Sequence, residues 1–234
     1  MNTLNHRIGP LQQDDTFELA FRLRQSLPEK PKACVVLLHG VGGNETNLAE
    51  LAAGIDPDVL IVFPRGPLQL APGQFGWFQV AFTANGPRIV AEEADASRRR
   101  LIHFLEQMQT VYGIDARHTI IAGFSQGGIL SASVALSAPE KVAGFGLLSG
   151  RILPELGPNI ASKERLAALR GFIGHGEYDS KLPVTWAQRS DQWLSELGVE
   201  HENRRYPIDH EISTEMGADF LAWIHALIAT NGRA

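Results

Sequence analysis

Ser125 stands at the centre of GFSQGG, residues 123–128, which carries the G-x-S-x-G pattern. A serine hydroxyl is a weak nucleophile until a base takes its proton, and that base must be held in the correct tautomer by a third group, usually a carboxylate. The chemistry implied is acyl transfer through a serine, with a histidine and an acid brought to it from elsewhere in the chain. The pattern alone is a weak signal. Its surroundings strengthen it, because Ile120, Ile121 and Ala122 before it read as a buried strand and Gly128 to Ala138 after it as an apolar helix. A strand-to-helix turn this tight holds the serine in a strained backbone conformation and leaves no room for side chains at Gly123 and Gly127. The amide of Gln126, in the first turn of the helix, would face a developing oxyanion.

Where a nucleophilic serine sits on such a turn, the acid and then the histidine follow it along the chain. Of the eight histidines, His6 and His118 precede Ser125, His201 falls in an expected strand and His225 in the last helix. His175 and His210 lie on strand-end loops, and His175 comes before every suitable downstream acid except those of its own loop. His210, between the last strand and the last helix, is the expected base. Asp179 is the first choice for the acid, with Glu177 on the same loop in reserve. Asp191 falls within the next helix, and Asp209 is too close to His210 in sequence to orient its ring. The alternatives are a turn aspartate and a histidine that caps the final helix. A second oxyanion amide is expected from HGVGG, residues 39–43, at Val41, with His39 and Gly40 shaping the loop.

These groups need a scaffold that brings distant loops to one place. Phe17, Leu19, Phe21 and Leu23 alternate with polar or small residues, as in a half-buried edge strand over Asp15 to Arg24. Ala33 to Leu38, Val59 to Phe63 and Val142 to Leu148 are continuous apolar runs of strand length, suited to burial on both faces of a sheet. Arg170 to Ile173 and Glu200 to Tyr206 supply two more strands. Asn44 is placed to cap a helix after the first glycine-rich loop. From Pro87 the residues Val90, Ala94, Leu101, Phe104, Leu105, Met108 and Tyr112 form one helical stripe, ended by Gly113. Pro183 to Leu197 reads as a helix burying Trp186, Trp193, Leu194 and Leu197. A last helix from about Ser213 buries Met216, Phe220, Trp223, Ile224 and Leu227. The alternation of strands and helices predicts one α/β domain over residues 1–234, with a mostly parallel central sheet, helices on both faces and reactive groups beyond the strands' carboxyl ends.

Two irregular tracts stand out. Residues 65–86 read as a long loop rich in Gly, Pro and Gln, and its aromatics Phe75, Trp77, Phe78 and Phe82 argue against disorder. They either pack beneath the loop or wall a substrate site, for which Trp77 and Phe78 are the candidates. Arg151 to Ile160, with two prolines, is the second.

Composition sets outer bounds. With 44% hydrophobic residues, 20% charged residues and no apolar run approaching a membrane span, the chain reads as globular without stable membrane insertion. The start MNTLNHRIGP lacks the pattern of a secretory signal, so a cytoplasmic location is expected. A net charge of −5 argues against nucleic acid as a partner. The one basic run, Arg98, Arg99 and Arg100, is read as a solvated helix face paired with Glu92, Glu93 or Asp95. Cys34 is the only cysteine, which excludes an internal disulfide, and it begins an apolar strand, as a buried small hydrophobe would. Metal-dependent hydrolysis lacks support, since there is no H-E-x-x-H and no ligand spacing, and no cofactor motif is present.

LHGVGGNE at Leu38 to Glu45, GFSQGG at Gly123 to Gly128, HGEYD at His175 to Asp179 and DH at Asp209 and His210 occur in this order from about residue 33 to the end. Together they resemble the phospholipase/carboxylesterase family, which includes the acyl-protein thioesterases. The resemblance implies the α/β-hydrolase fold, a triad of Ser125, Asp179 and His210, and oxyanion donors at the amides of Val41 and Gln126. It also implies hydrolysis of a small-molecule ester or thioester, and a homodimer. The rival readings are a catalytically silent binding module on the same fold and an amide or peptide hydrolase. A cysteine-based dienelactone hydrolase is disfavoured by the serine at the elbow.

Overall fold

The computed structural model describes residues 8–83 and 86–232; the start of the chain, with His6, lies outside them. In chain order the elements are β1 (Phe21–Leu23), β2 (Ala33–Leu38), α1 (Ala49–Ala52), β3 (Val59–Pro64), β4 (Leu68–Ala71), β5 (Gln74–Gly76), β6 (Val80–Thr83) and β7 (Gly86–Ile89). They continue with α2 (Ala91–Tyr112), β8 (Thr119–Phe124), α3 (Gln126–Ser137), β9 (Gly144–Leu148), α4 (Lys163–Leu166), β10 (Arg170–Gly176), α5 (Thr185–Leu197), β11 (Glu200–Tyr206) and α6 (Thr214–Asn231).

Seven strands form one sheet in the order β1-β3-β2-β8-β9-β10-β11. All neighbours are parallel except β1, which runs antiparallel at the edge beside β3. The continuous apolar runs follow from two-sided burial. In β2, Cys34, Val36 and Leu38 enter the core beneath α2 and α3, while Ala33, Val35 and Leu37 enter the core beneath α6. A period-2 backbone between two helix layers must be apolar at every position. Helix α3 is buried from Gln126 through Leu136 and runs against β8 and β9, so the turn that starts it lies at the middle of the sheet. None of the helices among the described residues is long and apolar enough to cross a membrane.

Several expectations shift in detail. The first strand is only three residues long, because residues 14–19 form turns and bends and only Phe21–Leu23 pairs with β3. The tract 65–86 is not a bare loop: β4 pairs with β5 and β6 with β7 as two antiparallel hairpins. Phe82 was one of its aromatics, but its side chain lies outside the described residues. Pro87 and Val90 precede α2 rather than belong to it, and Val90 is exposed. Asn44 does not cap α1. Its side-chain oxygen accepts from the amide and hydroxyl of Thr46 at 2.9 and 2.6 Å, closing a turn within the loop. Cys34 is buried, and burial pushes its thiol up to about 12, which keeps it protonated. In the basic run, Arg98 and Arg99 pair with Asp95, whereas Arg100 reaches Glu18 at 3.3 Å.

Candidate active site

The carboxyl ends of five parallel strands converge here. β8 ends in Phe124 and passes into Ser125, whose backbone lies at φ 54° and ψ −116°. That conformation disfavours side chains, and the strain is sustained by packing on every side. A Cβ on Gly123 would lie 2.5 Å from the carbonyl carbon of Gly127 and 2.6 Å from the Leu38 oxygen, and one on Gly127 would run into the Leu38 carbonyl. The turn is this tight because α3 must leave β8 directly over the end of β2. The result is an 8% exposed serine with its hydroxyl facing the loops.

His210 follows β11 and places Nε2 2.9 Å from the Ser125 Oγ, while its Nδ1 lies 2.7 Å from Oδ2 of Asp179, on the loop after β10. The other Asp179 oxygen accepts from the amides of Leu182 and Lys181 at 2.7 and 2.9 Å. Burial, the largest influence on this carboxyl, opposes its ionisation. Hydrogen bonds from His210 and the two amides, with the His210 charge, together outweigh it and hold Asp179 below the usual carboxylate range. The arrangement assigns Nδ1–H as donor to the carboxylate and leaves Nε2 to accept the serine proton. Phe124 packs its ring 4.9 Å from that of His210.

The remaining acids and histidines do other work. Glu177 is exposed, with only its amide engaged, to the Tyr206 carbonyl. Asp191 binds His201 at 3.0 Å. His175 is fully buried and bonds the Leu182 carbonyl at 2.7 Å, bracing the Asp179 loop, and burial lowers its pKa so that it stays neutral. His39 shapes the loop after β2. Its Nε2 accepts from the Gly66 amide at 2.9 Å and its Nδ1 donates to the Gly40 carbonyl at 2.7 Å, and burial lowers its pKa as that pattern requires.

Val41 and Gln126 meet beside Ser125, and among the described residues neither backbone amide has an acceptor. The Gln126 side chain has a separate role. Its oxygen accepts from the Trp77 amide at 2.7 Å and its nitrogen donates to the Phe78 carbonyl at 2.6 Å, pinning the hairpin tract across the elbow. Trp77 is therefore not a wall of the cleft. It is fully buried, its indole donates to the His39 carbonyl at 2.9 Å, and it ties the hairpins to the β2 loop. Phe78 does line the cleft, with Val80, Pro87, Ile89, Ile129 and Leu182.

Two depressions flank Ser125. The slot lined by Phe78 is narrow, leaving about 20 Å³ for the centre of a water-sized sphere, and a groove lined by Gly40, Gly43, Phe124, His210 and Ile212 leaves about 480 Å³. A larger hollow of about 830 Å³ by the same measure, between Lys32, Asp56 and His225, lies at the opposite end of the sheet. Size alone would point there, but it lacks the Ser125, His210 and Asp179 geometry. Arg151 also enters the slot, from the turn after β9, and Trp186 stacks beneath it rather than joining the buried side of α5. Neither carries a site role in the sequence, where Trp186 is expected on the buried side of its helix and Arg151 only opens an irregular tract. The only signal was a cation three residues past the end of the strand beside the elbow.

The model of the phospholipase/carboxylesterase family matches residues 25–228. The chain belongs to that family. It is similar to acyl-protein thioesterase 1 of Emericella nidulans, 28% identical over 196 residues covering 74% of this chain and 80% of that one. It is also similar to the putative hydrolase MhqD of Bacillus subtilis, 29% identical over 167 residues covering 70% and 78% of the two chains. Among solved structures, a carboxylesterase from Mesorhizobium loti superposes with a TM-score of 0.79 at 26% identity, covering 92% of this chain and 98% of that one. This phospholipase/carboxylesterase member thus shares the family's sheet and helix layers along nearly its whole length.

Proposed function

We propose that the protein hydrolyses carboxylic esters or thioesters through an acyl-enzyme on Ser125. The observation that carries this is the continuous contact from Ser125 Oγ to His210 Nε2 at 2.9 Å and from His210 Nδ1 to Asp179 at 2.7 Å, beneath a strained elbow. His210 takes the serine proton as Oγ attacks the acyl carbon, and Asp179 orients the ring and stabilises the imidazolium. The amides of Val41 and Gln126 receive the oxyanion. His210 returns its proton to the leaving oxygen or sulfur, and a water activated by the same histidine releases the acid. The acyl-protein thioesterase and carboxylesterase relatives support this bond class.

In this reading residues 1–234 act as one cytoplasmic domain that pairs as a homodimer, whose state light scattering on the purified protein tests. Release of 4-nitrophenol from a short ester should depend on both Ser125 and His210. Hydrolysis at an undiminished rate by Ser125→Ala would remove the proposed nucleophile, and no hydrolysis of esters or thioesters by the wild type would favour a silent binding module.

A further inference from the structure

After β9 the chain turns through Ser149, at φ 47°, and delivers Arg151 into the slot beside Ser125. Three carboxylate or guanidinium side chains are buried among the described residues: Glu45, Asp179 and Arg151. Glu45 holds two arginines and Asp179 holds His210. Arg151, only 6% exposed, has no carboxylate within ion-pair reach, and its Nε, sealed from solvent, has no hydrogen-bond partner. Glu155 acts on it only from a distance, and burial pulls its pKa down. The flat face of the guanidinium lies 4.4 Å from the centre of the Trp186 ring, which Arg189 approaches to 4.9 Å. Stacking occupies the face of the group and leaves its in-plane N–H fork free. A buried cation without a counter-charge is costly, and a second arginine on the same indole adds positive potential.

From this we propose that Arg151 anchors a free carboxylate of the substrate, so that the preferred substrates are short half-esters or half-thioesters of dicarboxylic acids. The proposal rests on the esterase reading and narrows its substrate class. A carboxylate matches the guanidinium fork through two parallel hydrogen bonds. It occupies the acyl side of the scissile bond. The leaving group takes its proton from His210, and His210 lines the other, wider groove, whereas Ser125, Gln126 and Arg151 line the slot and Val41 stands between the two. The apolar walls at Phe78, Ile89, Ile129 and Leu182 would pack the few methylenes between the two carboxyl carbons, and the narrowness of the slot limits their number. The distal carboxylate stays ionised throughout, so water, ester and products balance as in simple hydrolysis.

The test compares ethyl hydrogen glutarate with ethyl pentanoate, followed by pH-stat titration of released acid. The wild type should show a kcat/KM at least tenfold higher on the charged ester. In Arg151→Met that ratio should fall at least tenfold, with Arg151→Lys between them. Glutarate itself, titrated calorimetrically into Ser125→Ala, should bind at least tenfold more weakly when Arg151→Met is added. Neutral esters turned over with no charge preference, or a ratio unmoved by Arg151→Met, would overturn the proposal while leaving the esterase reading intact. Arg151-dependent glutarate binding without hydrolysis of either ester would support the anion site and sink the esterase reading. Should Arg151→Met fail to fold by circular dichroism, the wild-type ratio and Arg151→Lys decide.

Discussion

The carboxylate of Asp209 accepts from both the amide and the hydroxyl of Ser180, at 2.7 and 3.1 Å. Ser180 follows the proposed acid Asp179 and Asp209 precedes the proposed base His210, so this contact clamps together the two loops that hold a 2.7 Å hydrogen bond between their neighbours. Asp209, set aside as an orienting acid because of its closeness to His210, acts one step removed. Because small misplacements of catalytic groups are costly, Asp209→Ala should lower kcat by about tenfold with KM little changed. Asp209→Asn, which keeps one acceptor oxygen, should recover most of the loss. Equal falls in both variants would remove the clamp.

Ser125→Ala should abolish labelling by a fluorophosphonate and lower kcat by about 10⁴-fold or more, since a triad acts as a unit. Thermal melting should be retained, because the hydroxyl contributes one contact, to His210. Asp179→Asn should cost about 10⁴-fold in kcat by favouring the wrong histidine tautomer. Steady-state kinetics at saturating ester, with melting curves alongside, check both.

Gln126→Ala keeps the backbone amide assigned to the oxyanion but strips the buried Trp77 amide and Phe78 carbonyl of their partner. Each unsatisfied group costs about 1–3 kcal/mol. A total near 3 kcal/mol should lower Tm by about 6–12 °C in a chain of this size. A melting temperature within about 2 °C of wild type would show that the hairpin tract holds without this bracket.

Glu45 is 3% exposed and sits between Arg22 at 2.9 Å and Arg65 at 2.7 Å. Burial opposes its ionisation, but hydrogen bonds from Arg65 and Arg22 prevail and bring it down from 4.5 to about 2. Its folded pKa is depressed, so its contribution is fully present above 4.5 and is lost as pH falls toward 2. Glu45→Gln should destabilise the neutral protein by about 3 kcal/mol through two unpaired arginines. It should also flatten the fall in stability between pH 5 and 2.5, as read by denaturant midpoints; an unchanged slope would assign the acid sensitivity elsewhere.

What the sequence determined was local chemistry and order. GFSQGG could be read because an elbow is built from consecutive residues whose glycines answer to steric limits a few ångströms away. Asp179 and His210 could be named because strand and helix periodicity puts them on successive carboxyl-end loops, and a parallel sheet brings such loops to one edge. Tertiary structure alone decided which way the long-range partners face. Trp77 and Phe78 are adjacent and both fully buried, yet an indole N–H that must find an acceptor turns Trp77 to the His39 carbonyl, while Phe78 borders the slot from within the core. Hairpin pairing across residues 68–89 depends on register rather than on a period strong enough to read. The isolation of Arg151 is likewise invisible in the chain, because an unpaired charge is defined by what fails to pack against it from α5 and the loops around it.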